Sequence, residues 1–284
     1  MRGLAALEPR GGPRHRGRVF TIPLFDDAPT RRGPLLVWAI IIACGVVFLW
    51  QVGLPPRARA DVVYSLGVIP AVLFGEVELP HRLQLVPGWA SIFTSMFLHG
   101  GWLHIAGNML YLWIFGNNVE DAMSRPRFLV FYLLCGTAAA LAQSAAAPRS
   151  TVPMIGASGA IAGVLGAYIL LHPRANVRVL FVLFVFVRFI NLPAVVVLGV
   201  WFAAQLASGA MTPTAQGGVA FMAHIAGFMT GIVLIPFFKD RDVPLFGGPY
   251  SRSFAVLRPR EVKRPRGSVP DSGSYGGRRH GPWG

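Results

Sequence analysis

Ser158-Gly159-Ala160-Ile161-Ala162-Gly163-Val164-Leu165-Gly166-Ala167-Tyr168-Ile169-Leu170-Leu171 is an uncharged, apolar run of 14 residues, and its length decides how the chain is read. As a helix it measures about 21 Å at 1.5 Å per residue, whereas a bilayer core of ~30 Å asks for about 20 residues. An apolar helix this short must run on into non-helical backbone that is enclosed by protein or lines water. Five more apolar stretches surround it, at 34–54, 102–118, 127–147, 193–208 and 219–238. The pattern predicts an all-α polytopic membrane protein, a six-transmembrane-helix bundle over 34–238 whose short fourth helix starts at Ser158.

Composition points the same way. Of 284 residues 54% are apolar and 13% charged, with a mean hydropathy of +0.53 and a formal net charge of +14. A soluble domain would carry roughly 25% charge, which excludes a soluble enzyme with one core, and the aliphatic and aromatic content excludes a disordered chain. Nucleic acid is excluded as a partner because the arginines avoid the apolar runs. With six spans, 22 basic residues fall on one side and four (Arg57, Arg59, Arg82, Arg149) on the other. The positive-inside rule then puts both termini in the cytoplasm, and we expect a multi-pass protein of the prokaryotic cell (inner) membrane. Residues 1–33 read as a basic cytoplasmic flank, with an organellar transit peptide as the rival, and 239–284 as a basic, Pro/Gly-rich disordered tail. The outer loop 55–95 is expected to hold interfacial helices. The run Val179–Ile190 is too short to span and is placed as an interfacial or re-entrant segment on the cytoplasmic side. Cys44 and Cys135, both in spans, give no disulfide argument.

Polar side chains at membrane depth are costly and are functional candidates by default. The spans hold no Asp or Glu except Glu120 and Asp121 at the inner end of the second. His104 and Asn108 lie about 3 and 9 Å into the second span, Ser158 at the head of the fourth, and His224 about 8 Å into the sixth. All therefore fall in the outer third of the bilayer. Alone, Gly156-Ala157-Ser158-Gly159 reads as a helix cap or a packing motif. Gly227 and Gly231, however, share a helix face with His224, and Gly159, Gly163 and Gly166 offer a matching face on the fourth helix. Two such faces in contact would bring Ser158 against His224. His104 and Asn108, four residues apart, share a third face. Acyl transfer needs a nucleophile, a base and donors aimed at a developing oxyanion, and these pieces supply all three.

On these motifs, HxxxN (His104, Asn108), GxSG (Gly156–Gly159) and AHxxGxxxG (Ala223–Gly231), the chain resembles the rhomboid intramembrane serine proteases over about 34–238. The resemblance implies a serine endopeptidase that cleaves transmembrane helices of other membrane proteins near their outer ends. Catalysis would use a Ser158–His224 dyad without an acidic third member, with His104, Asn108 and the Ser158 backbone N–H as oxyanion hole. His99 falls where the family carries an extra His. Two features depart from it: Trp89-Ala90-Ser91 replaces a Trp-Arg pair in the first loop, and Ala162 stands where some members stack a Tyr on the base. The second leaves open what fixes the imidazole of His224.

The alternatives are an inactive rhomboid-like protein that binds membrane helices without cleaving them, and a proton-coupled transporter. Intact Ser158 and His224 argue against the first, the lack of intramembrane carboxylates against the second. No H-E-x-x-H is present, and neither metal nor organic cofactor is implied. The expected partners are transmembrane substrates and the bilayer; the residues say nothing of oligomeric state. Water must reach Ser158 from the outer side, through loops 148–157 and 210–218, whose prolines and Gly217–Gly218 make them candidate gates.

Overall fold

The structure is a computed structural model that describes residues 19–183, 186–211, 221–251, 253–254 and 256–257. Residues 1–18 of the basic flank, the loop 212–220 and the tail 258–284 lie outside the described residues.

A strand, β1 (Val19–Asp26), precedes helix α1 (Leu35–Gly53). The outer loop folds into α2 (Pro56–Leu66), α3 (Pro70–Leu73) and α4 (Ser91–Thr94). Proline opens the first two of these at the position where its missing N–H costs nothing. Then come α5 (Trp102–Asp121), α6 (Arg125–Ala146), α7 (Ser158–Leu171), strands β2 (Asn176–Leu183) and β3 (Phe186–Pro193), α8 (Ala194–Met211), α9 (Phe221–Phe238) and a short β4 (Val256–Leu257). Among the described residues, α1, α6 and α9 are each long and apolar enough to cross a membrane.

Helix α7 sits at the centre. Every residue from Gly159 to Tyr168 is buried, as befits a helix that is apolar all round, with α5, α6 and α9 packed about it. Protein surrounds it over most of its length. Pro173 follows one residue after its cap and cannot continue the helix. Helices α1 and α8, by contrast, present large apolar side chains outward, among them Ile42, Val46 and Val200.

The all-α expectation needs correction. The strands form one antiparallel sheet in the order β1-β2-β3-β4. Val179–Ile190, read as an interfacial or re-entrant segment, belongs to the β2–β3 pair. The physical reason is a period of two: Val177 and Val179 are buried while Arg178 between them is exposed, and Arg178 lies over the ring of Phe25, 5.7 Å from its centroid. Pro23 is tolerated inside β1 because that strand is an edge. The tail expected to be disordered from Lys239 onward is in part built into the fold. Phe246 and Gly247 donate backbone bonds to Leu170 and Leu171 at the end of α7, and Asn176 Nδ2 donates to the carbonyl of Ser251 at 2.9 Å.

One end of the bundle is tied by charge. Glu120, 4% exposed, accepts the backbone N–H groups of Leu36 and Val37 at 3.0 and 2.9 Å. Asp121 accepts those of Arg32 and Arg31 at 2.8 and 2.9 Å. These are donors that the start of α1 and the turn before it would otherwise leave orphaned. Around them Arg32 and Arg127 pair with Asp240, and Arg31 with Asp242. Beneath the sheet Tyr168 donates to buried Asp26 at 2.5 Å.

Candidate active site

The opposite end of the bundle collects the heads of α5, α7 and α9. Ser158 is the first residue of α7 and His224 lies in the first turn of α9. What brings them together is the absence of side chains between the two helices. A Cβ on Gly227 would strike the carbonyl of Gly159, one on Gly231 the carbonyl of Gly163, and one on Gly166 the carbonyl of Phe228. Backbone therefore rests on backbone along the contact, a closeness only small residues permit. In that register His224 Nε2 stands 2.8 Å from Ser158 Oγ.

The other ring nitrogen, Nδ1, is 2.8 Å from Gln205 Oε1 on α8. The Trp201 ring lies 5.9 Å from the imidazole, tilted by 39°. Ala162, in the place left open for a stacking partner, instead meets the Gly227 position at 3.4 Å. The head of α9 is also held from α6, where Gln143 Oε1 accepts the N–H of Ala223 at 3.3 Å. Sequence reasoning passed over Gln205, Gln143 and Trp201. The signal was available for the first, since Gln205 and Ser208 are the only hydrogen-bonding side chains in α8 besides the Trp201 indole, and an amide in an apolar helix needs a partner.

His104 and Asn108 flank Gly156, two residues before Ser158. A Cβ there would fall 2.8 Å from His104 Nε2 and 3.7 Å from Asn108 Nδ2, and the backbone has φ +125°, so glycine is required twice over. The N–H of Gly100 donates to His104 Nδ1 at 3.3 Å. A neutral ring with Nδ1 accepting carries its hydrogen on Nε2, which is the atom turned toward Gly156. Asn108 Nδ2 is buried without a protein hydrogen-bond partner, and such a donor is costly unless it is used. Two side-chain donors therefore converge on Gly156, two residues before Ser158, next to the unpaired N–H groups at the start of α7. His99 packs edge-on against His104, ring centroids 5.2 Å apart, and its backbone N–H donates to Gln51 Oε1 at 3.1 Å. Burial, with His104 beside it, holds its imidazole down to about 4, so it is neutral and braces His104.

A cleft opens beside Ser158, lined by Ser95, Met96, Gly136, Ala139, Ile155 and Ala160 among others. Loop 148–157 is strapped to the outer-loop elements: Ala71 donates to Ser150, Val68 and Met154 exchange backbone bonds, and Gly156 donates to Ser95. Those bonds disfavour it as a gate. The other candidate gate, 210–218, lies almost wholly outside the described residues. Among the described residues no three His, Cys, Asp or Glu side chains gather to hold a metal.

Comparison with known proteins adds one family match and three relatives. The Rhomboid domain model matches residues 87–241. The chain is 30% identical over 193 residues to "Rhomboid-like protein 11, chloroplastic" of Arabidopsis thaliana, covering 63% of this chain and 66% of that protein. It is 30% identical over 191 residues to "Rhomboid protein 1, mitochondrial" of Saccharomyces cerevisiae, covering 61% and 52%. It is 39% identical over 105 residues to "Rhomboid protease GluP" of Bacillus subtilis, covering 36% and 20%. The chain thus spans between about half and two thirds of the length of the first two relatives.

Proposed function

The chain belongs to the rhomboid family, and from that membership and the geometry of its site we propose that it is an intramembrane serine endopeptidase. Ser158 Oγ attacks the carbonyl of a peptide bond in or near a transmembrane helix of another protein, while His224 Nε2 takes its proton. The tetrahedral oxyanion is met by the Ser158 N–H, His104 Nε2–H and Asn108 Nδ2–H, preorganised donors of the kind that contribute most to acyl transfer. Collapse leaves an acyl-enzyme on Ser158 as His224 protonates the departing amine, and a water activated by the same base releases the product.

The observation that carries the reading is the 2.8 Å contact between His224 Nε2 and Ser158 Oγ across two glycine faces. The cleft beside Ser158, bounded by Met96 and the Gly136 position, suits a small side chain at the residue whose carbonyl is attacked. The reading extends to topology. The six apolar helices α1, α5, α6, α7, α8 and α9 are the spans, α7 being the short fourth. Both termini are cytoplasmic on the 22-to-4 split of basic residues, and the site opens toward the outer face. The same charge pattern suits a bacterial inner membrane or the organelle membranes that two relatives' names indicate.

The test is a fluorophosphonate probe on the detergent-solubilised chain together with a membrane-anchored reporter. Wild type should label and cleave; Ser158→Ala and His224→Ala should do neither. Cleavage that persists in Ser158→Ala overturns the proposal. Binding of membrane helices with neither labelling nor cleavage by wild type would favour the non-enzymatic alternative.

A further inference from the structure

We propose that Gln205 is the positioning residue of the base, so that the site works as a Ser158–His224–Gln205 relay whose third member is an uncharged amide. The inference rests on the protease reading above. A neutral imidazole carries one hydrogen, and His224 can take the Ser158 proton on Nε2 only when that hydrogen is on Nδ1. A carbonyl oxygen 2.8 Å from Nδ1 accepts that hydrogen, selects the reactive tautomer and fixes the ring's rotation. Ala162 is too small to reach the ring and packs at Gly227 instead, so the aromatic contact on the ring comes from α8 as well, through the tilted Trp201. His224 is thus held by α7 through Ser158 and by α8 through Gln205 and Trp201.

An amide differs from a carboxylate in this place. It orients the ring and chooses the tautomer, but adds no negative charge to stabilise the imidazolium that forms. Its removal should therefore cost less than the roughly 10⁴-fold seen when a triad aspartate is replaced. It also suits hydrocarbon depth, where an ionised side chain is expensive. Helix α8 exposes Val195, Val200 and Leu206 on its outer side, so the hydrogen-bond acceptor that orients the base rides on a peripheral helix, while nucleophile and base ride on the packed pair α7 and α9.

A cross-helix hydrogen bond could instead serve only to hold α8 in place, and the experiment must separate the two roles. The full-length chain in detergent is reacted with a fluorophosphonate, and labelling kinetics are resolved into a maximal rate and a half-saturating concentration. Gln205→Met keeps length and removes the acceptor; Gln205→Glu keeps length and acceptor. We expect the maximal rate to fall by about 10- to 10²-fold in Gln205→Met with half-saturation within about twofold and the thermal midpoint of wild type, and to stay within about threefold of wild type per folded molecule in Gln205→Glu, whose carboxylate lowers the midpoint. Three results would overturn the inference: a Met variant that labels like wild type, Met and Glu variants that lose rate equally, or a change confined to half-saturation. Ser158→Ala run beside them keeps the failures apart. A wild type that does not label, or labels equally without Ser158, removes the protease reading itself; labelling that needs Ser158 but ignores Gln205 removes only the relay.

Discussion

The two ends of the helix bundle are held by different chemistry. At one end carboxylates meet backbone N–H groups and arginines: Glu120 and Asp121 cap the start of α1 and the turn before it, and Asp240 and Asp242 gather Arg31, Arg32 and Arg127. At the other end the groups in contact are a hydroxyl, imidazoles and amides, set by Ser158, His224, Gln205, His104 and Asn108. The ionic end can spend charge on holding helices because it is polar already. The contacts at the Ser158 end include no carboxylate, and its register comes from glycine faces rather than ion pairs. Stability and chemistry are therefore separable along the length of α7.

Variants can break that division or sharpen it. The largest effect expected is that of Ser158→Ala, a loss of cleavage on the order of 10⁴-fold or more with the thermal midpoint nearly unmoved. A midpoint that fell steeply would show that the site also holds the bundle. Glu120→Ala should do the converse. It strands one buried and one part-buried N–H group, at a cost of about 2–4 kcal/mol, lowering the midpoint by roughly 5–15 °C while kcat of the folded fraction stays at the wild-type value. Asn108→Ala should lower kcat by about 10²-fold with little change in KM; an unchanged kcat would mean that the oxyanion is held without that amide.

The smallest effect lies at the ionic end and depends on pH. Burial raises Asp26 from its ordinary 3.8 to about 6, with the Tyr168 hydrogen bond acting against the rise. The folded chain thus keeps a proton that the unfolded chain gives up. Asp26 favours the fold fully below about pH 3.8, and that contribution is lost as pH rises through about 6, a swing on the order of 2–3 kcal/mol. Thermal midpoints measured from pH 4 to 7 should decline more steeply in wild type than in Asp26→Asn. Parallel curves would return Asp26 to the ordinary carboxylate range.

The site was more legible in the sequence than the fold around it. Ser158, His224, His104 and Asn108 stand out because polar groups are rare in apolar helices, and the glycine spacing at Gly159, Gly163, Gly227 and Gly231 says which faces approach. Gln205 escaped because one amide in an apolar run carries no motif; only its neighbour across the helix gives it meaning. Glu120 and Asp121 were visible as the sole carboxylates at span depth, yet their partners lie some 83 to 90 positions earlier in the chain. The strands were misread for a different reason. Once six spans are assigned, a short apolar run such as Val179–Ile190 looks like a failed span, although its β-branched and aromatic residues and the alternation around Arg178 are the marks of a strand.

Strand β1 has one more consequence, for the order in which the molecule is made. Its ladder partner β2 ends at Leu183, opposite Val19, and Asp26 meets a tyrosine 142 positions later. During synthesis the first strand therefore waits, unpaired, until α1, α5, α6 and α7 have all left the ribosome. Closure over so long a separation is slow and entropically costly until the intervening helices bring the ends together. The sheet is a latch thrown after the helices are in place, so its register reports a finished bundle.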